Sequence, residues 1–185
     1  MKSLILIGTL IIFNIISVYN QSNIYKSKKS LVTFFSKAPL EDIEAKNEKA
    51  ISLLNVNNNE IVVRIPIKQF MFRNKLMEEH FNENYMESER FPYATFKGKI
   101  NEKVDFSNPG NLNISATGIL NVHGVNKKRT LNGVLTVIDS EIQLKTKFDI
   151  LLADHKISIP RLVFNKIAEQ IEVNTFFSYS TQVKQ

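Results

Sequence analysis

EIQLKTKFDILL, residues 141–152, alternates apolar and polar side chains almost without a break. Ile142, Leu144, Thr146, Phe148, Ile150 and Leu152 share one parity, while Gln143, Lys145, Lys147 and Asp149 share the other. Successive side chains of a pleated backbone point to opposite faces, so this period describes a strand with one face buried and one in water. The run is about twice the common strand length of five or six residues.

The same period recurs on both sides of it. Toward the C-terminus, Ile171, Val173, Thr175, Phe177, Tyr179 and Val183 oppose Glu172, Asn174, Ser178, Ser180 and Gln182. Upstream, Leu112, Ile114, Ala116, Gly118, Leu120 and Val122 form one face after the turn signal SNPG, and Leu131, Gly133, Leu135 and Val137 form another. Ala94, Phe96, Gly98 and Ile100 point inward from a strand entered at Pro92, where Gly98 leaves a gap in the inward row. Ile61, Val63, Ile65 and Ile67 lead to Phe70 and Phe72 with a parity slip near Pro66, which predicts a β-bulge. Val32 and Phe34 mark a first strand, and Ile43, Ala45, Ile51 and Leu53 keep odd parity through a weaker second one. Asn57 to Asn59, Pro109-Gly110 and Asp139-Ser140 supply turns.

Eight long strands, short connections and one polar face throughout predict an all-β fold, an antiparallel up-and-down barrel closed on itself. A sandwich is the competing architecture, but its strands are usually shorter. Eight staves leave a lumen that side chains can fill or that can hold one small ligand. One segment breaks the period. After Asn74, a candidate N-cap, Leu76, Met77, Phe81 and Tyr85 recur at helical spacing and predict a short helix over about residues 74–84. RLVFNKIAEQ, from Arg161, reads equally as a short helix or a strand edge.

The N-terminus has a different character. Lys2 precedes an apolar run from Leu4 to Ile16 that stops at polar Asn20 to Asn23, the pattern of a secretory signal peptide and shorter than a membrane span. We expect residues 1–21 to be removed, leaving 22–185 as one domain in the periplasm or outside the cell. The chain has no cysteine, which excludes a disulfide framework and a lipidated N-terminal cysteine. The positive charges behind the net +6 are mostly lysines scattered among asparagines, densest at Lys127, Lys128 and Arg129, and form no basic stripe with interleaved aromatics, so nucleic acid is not an expected partner. Weak contact with an anionic membrane surface is compatible with that charge. Homodimerisation is left open.

Catalytic chemistry finds little support. The histidines are His80, His123 and His155. His80 and Glu83 have an i, i+3 spacing that a metal could use, yet Glu78, Glu79 and Glu83 read as the solvated side of the helix, and no metal site is expected. No G-x-S-x-G elbow and no glycine-rich phosphate loop occurs, and the adjacent carboxylates Glu78-Glu79 and Glu41-Asp42 diverge on a helix or a strand. The sequence argues against an enzyme. An acid/base role would require His80 or His123 to face a cavity.

Several blocks, taken in order, resemble a known family. They are Phe70 and Phe72; His80-Phe81; Tyr85 to Ser88; FPYATFKG at 91–98; and Gly118, Leu120, His123, Gly124 and Val125. Together they are similar to the motifs of the polyisoprenoid-binding, YceI-like family, over essentially the whole chain after the N-terminal run. The resemblance implies a lipocalin-like, extended eight-stranded barrel, exported, whose lumen holds the isoprenoid chain of an amphiphilic lipid or quinone, with no other cofactor. Its members look like carriers or binders rather than enzymes. On this reading the lipid-contacting residues are Phe34, Phe70, Phe72, Met77, Phe81, Tyr85, Phe91, Phe96, Leu120, Phe148, Ile150 and Phe177. His80 and His123 are the candidates for contact with a polar head. Phe70, Phe72, Met77, Phe81, Phe91 and Phe96 are expected where the helix caps the barrel mouth.

The ligand is energetically reasonable. At roughly 0.8 kcal/mol per buried methylene-sized group, a five-carbon unit contributes about 3 to 4 kcal/mol at most. Three or four units offset association costs and reach about micromolar affinity. The alternative is an exported structural or partner-binding barrel whose core is filled by its own side chains.

Overall fold

The computed structural model describes residues 23–37, 42–139, 141–158 and 168–180. The signal-like residues 1–21, Ser140, Val183 and most of RLVFNKIAEQ lie outside the described residues.

Among the described residues, period-two segments become ten strands: β1 (Ile24–Ser36), β2 (Ile43–Asn47), β3 (Ile51–Asn55), β4 (Glu60–Pro66), β5 (Met71–Phe72), β6 (Tyr93–Ile100), β7 (Gly110–Val122), β8 (Val125–Ile138), β9 (Glu141–Leu151) and β10 (Gln170–Ser180). All pairings are antiparallel, each stave lies beside the next, and β10 pairs back onto β1 from Ser27↔Tyr179 to Phe35↔Glu172. The sheet is therefore a closed up-and-down barrel of eight staves. Two staves are split: β1 pairs with β3 near its start and with β2 near its end, while β3 pairs with β4 and β2 with β5.

The splits correct two sequence readings: the parity of the second stave and the cause of the slip in the third. In the second stave the inward set passes from Ala45 and Asn47 to Ala50, Ser52 and Leu54, leaving Ile51 and Leu53 about 41% and 38% exposed. The step has a local cause. Asn47 Oδ1 accepts from the Lys49 N–H at 2.8 Å and its Nδ2 donates to the Pro66 carbonyl at 2.8 Å, so the buried amide turns the chain out of the ladder. In the third stave the slip near Pro66 is no bulge but one turn of 3-10 helix, Ile67–Gln69, closed by Phe70 N–H donating to Ile67 O at 3.1 Å. A register shift does occur in β1, between Ser27 and Lys29.

Gly98 and Gly118 face each other across β6 and β7. A Cβ on Gly98 would lie 2.7 Å from Phe96 Cζ, so the gap in the inward row is filled by the Phe96 ring leaning over it. Leu112 keeps the inward parity but stands at the rim, exposed.

The predicted helix is present as α1 (Lys75–His80), continued by a π turn over Phe81–Tyr85. Asn74 is its N-cap, its Oδ1 accepting from Leu76 N–H at 2.9 Å. Away from this helix the barrel is packed closely: Leu54, Ile100, Leu135, Ile142, Phe177 and Tyr179 are fully buried. There the Tyr179 hydroxyl and Ser52 Oγ lie 2.6 Å apart and satisfy each other.

Candidate functional site

The lumen under the helix is hollow. A cavity of about 370 Å3 is walled by β1 (Val32, Phe34, Ser36), β6 (Ala94), β7 (Leu120, Val122), β9 (Phe148, Ile150) and β10 (Ile171, Val173). Met77 of α1, and Phe81 and Tyr85 of the π turn, roof it. Each strand contributes the inward parity that its alternation dictates. Asn74, Leu76 and His80 also line the cavity yet are exposed, so the opening to water runs along α1. A second void of about 60 Å3 lies deeper, lined by Phe96 and Phe177 among others, and shares Ile65, Ala94, Leu120 and Phe148 with the larger chamber.

Four phenylalanines hold the roof to the wall. Phe81 stacks on Phe34 at a centroid separation of 5.3 Å and meets Phe70 and Phe72 at 5.6 and 5.0 Å. Phe34 meets Phe70 at 5.3 Å and Phe72 at 5.6 Å. These separations are favourable for aromatic pairs. The rings are both packed core and cavity lining. The π turn advances Phe81 and Tyr85 onto the lumen side, and Asn82 Nδ2 donates to the Glu78 carbonyl at 2.8 Å beside it. Glu78 ties α1 to β5: its Oε1 accepts from Lys75 Nζ at 2.9 Å and its Oε2 from the Phe72 N–H at 3.1 Å. Those two bonds, Lys75 first, hold its carboxyl below the ordinary glutamate range.

Among the described residues, polar groups are few on this wall: Ser36, Asn74, His80 and Tyr85. Burial pushes the Tyr85 phenol up, so it stays neutral. The chamber can enclose an apolar chain and meet a polar end near Asn74 and His80. Among the described residues no group of three histidines or carboxylates converges on a metal-sized point.

Of the sequence-predicted residues, the structure brings Phe34, Phe70, Phe72, Met77, Phe81, Tyr85, Leu120, Phe148 and Ile150 to the chamber, with His80 at its opening. Phe96 and Phe177 reach only the deeper void. Phe91 and His123 reach neither. Phe91 turns away from the mouth and packs edge-on against His123, centroids 4.4 Å apart, with its ring so close to Gly124 that a Cβ there would lie 2.5 Å away. The β7–β8 hairpin turn requires positive φ at both His123 and Gly124, 50° and 74°, which glycine accepts freely. His123 Nδ1 then donates to the His155 carbonyl at 3.1 Å, and its Nε2 lies 3.5 Å from Glu87 Oε1. This histidine ties three segments together outside the lumen.

The three rings of FPYATFKG thus diverge: Phe91 to the hairpin clamp, Tyr93 outward beneath the Arg64 guanidinium at 3.6 Å, and Phe96 inward. Val32, Ile65, Val122, Ile171 and Val173 line the chamber as well. All were legible as inward residues. Their height along the barrel axis was not, because parity reports the face and says nothing about depth.

A YceI-like domain model matches residues 25–178. The chain belongs to the YceI-like family. Among solved structures, a polyisoprenoid-binding domain from Saccharophagus degradans, implicated in plant cell wall breakdown, superposes with a TM-score of 0.74 at 14% identity, over 85% of this chain and 98% of that one. BcnA of Burkholderia cenocepacia gives 0.67 at 15% identity, over 80% and 95%. The YceI protein of Campylobacter jejuni gives 0.58 at 18%, over 99% and 100%. At these identities the likeness is one of fold. Curated proteins give no significant match. In this member of the YceI-like family the motif residues Phe70, Phe72 and Phe81 build the roof of a cavity, while His123-Gly124 builds a hairpin.

Proposed function

We propose that this protein is an exported, non-enzymatic carrier that takes the isoprenoid chain of an amphiphilic lipid into the chamber under α1 and leaves its polar end at Asn74 and His80. The observation that carries the proposal is the chamber itself: about 370 Å3, almost wholly apolar in its lining, closed at one end and open along a short helix. Burial of methylene groups is then the main driving force, with few polar atoms to desolvate. Membership of the YceI-like family and the likeness to a polyisoprenoid-binding domain support the ligand class. The signal-like N-terminus supports export. Organic extraction of purified protein followed by mass spectrometry tests it: a prenyl alcohol, quinone or related lipid is expected at near-stoichiometric yield. Repeatedly empty protein that also takes up no added prenyl lipid overturns the proposal.

A further inference from the structure

The lumen is blind, and its depth sets what fits. Ile65, Ala94, Leu120 and Phe148 touch both the large chamber and the small void below it, so these four side chains form the partition between them. Phe96 and Phe177 line that void, and further along β10 and β3 the fully buried Tyr179 hydroxyl and Ser52 Oγ close on each other at 2.6 Å. Phe96 is held in place, because its ring covers Gly98 and Gly98 abuts Gly118.

Volume converts this geometry into a length. An apolar cavity of about 150 Å3 accepts one benzene, six carbon atoms. The chamber of about 370 Å3 scales on that basis to roughly fifteen carbons, three isoprene units. The void of about 60 Å3 adds only about two carbons. We propose that the lumen measures chain length: the floor formed by Ile65, Ala94, Leu120 and Phe148 admits three isoprene units and leaves any further units outside the barrel. The inference rests on the lipid-binding reading above and names the length class that reading leaves open.

Competitive displacement of a fluorescent apolar probe by geraniol, farnesol, geranylgeraniol and a six-unit prenyl alcohol provides the test, with direct binding confirmed by native mass spectrometry. Affinity is expected to rise from the two-unit to the three-unit alcohol by a factor on the order of a hundred. It should then stay level within a few-fold for the longer chains. Phe148→Ala removes the largest part of the partition, joins the two spaces and moves the plateau to four units or beyond. Ala94→Phe, which adds bulk to the floor, moves it down to two units. The two variants shift the plateau in opposite directions, so a loss of stability in one cannot mimic the pattern, and thermal melts establish that each is folded. Affinity that climbs steadily through the six-unit alcohol, or a plateau that neither variant moves, overturns the measured-length inference while lipid binding stands. If none of the alcohols displaces the probe or appears in the mass spectrum, the lipid-binding reading falls and the length inference falls with it.

Discussion

His155 is fully buried, with its Nδ1 3.3 Å from the Val122 carbonyl. Burial pushes its pKa below the ordinary 6.5, and the Val122 and Val125 carbonyls offset only part of that. The unfolded chain therefore binds a proton that the folded chain refuses. Stability is complete above the ordinary value of 6.5 and is lost as pH falls below it. The carboxyls of Glu78, Glu102, Glu141 and Glu172 are all held below the ordinary 4.5 by hydrogen bonds, so their stabilisation goes only at lower pH and the two effects separate. Thermal melts should show the wild type losing melting temperature between about pH 7.5 and pH 5.5, and His155→Gln losing distinctly less over the same interval. Equal slopes for the two proteins would remove His155 from this account. A second residue-scale expectation concerns Gly118, where an added Cβ collides with the Lys97 carbonyl oxygen and the Gly98 Cα, both backbone. Gly118→Ala should cost about 1 to 3 kcal/mol in denaturant unfolding, the usual range for overpacking.

At the scale of elements, the alternation in residues 141–152 and 171–179 was enough to place every inward side chain of β9 and β10 among the described residues. Long one-faced strands are legible because burial imposes a period on them. The second stave was misread because the hydrophobicity of Ile51 and Leu53 outweighed the turn made by Asn47. That turn depends on a hydrogen bond to Pro66, nineteen positions away in sequence, and no local pattern encodes it. The roof was legible in kind, since Asn74 and the spacing of Leu76, Met77, Phe81 and Tyr85 gave the helix. Which rings of the family-like blocks meet the chamber was not, because Phe91 is drawn to His123 and Gly124 at the hairpin, and the parity of Phe96 gives its face without its depth. The cap itself yields a prediction. Asn74→Ala removes the acceptor of the Leu76 N–H and should destabilise the protein by about 1 kcal/mol. Because α1 is only six residues long and borders the opening, the same change should also speed release of a bound apolar probe in stopped-flow exchange. A slower or unchanged release would mean that α1 does not gate the chamber.

For the molecule as a whole, the division of the lumen into a solid end and a hollow end separates two sources of stability. The solid end, with Leu54, Ile142, Phe177 and the Tyr179–Ser52 pair, is complete in the protein alone. The hollow end has apolar walls around a cavity of about 370 Å3. A ligand that binds only the folded barrel raises its stability by RT ln(1 + [L]/Kd), about 2.7 kcal/mol at a hundredfold excess over Kd. For a domain of this size that corresponds to an increase of roughly 5 to 10 °C in melting temperature. Delipidated protein is therefore expected to melt lower by that amount than protein saturated with farnesol, as read by circular dichroism at matched concentration. The two ends should respond differently to mutation. Tyr179→Phe strands the Ser52 hydroxyl in the core and should lower the loaded and unloaded melts alike, by an amount matching about 1 to 3 kcal/mol, leaving their difference intact. Ala94→Phe intrudes on the chamber and should shrink that difference. If farnesol left the melting temperature of the wild type unchanged, the hollow end would owe its shape to the packing of Phe34, Phe70, Phe72 and Phe81 alone and the chamber would have no apolar guest. If Tyr179→Phe abolished the farnesol shift, the two ends would be coupled through the partition, and the floor could not act as a fixed stop.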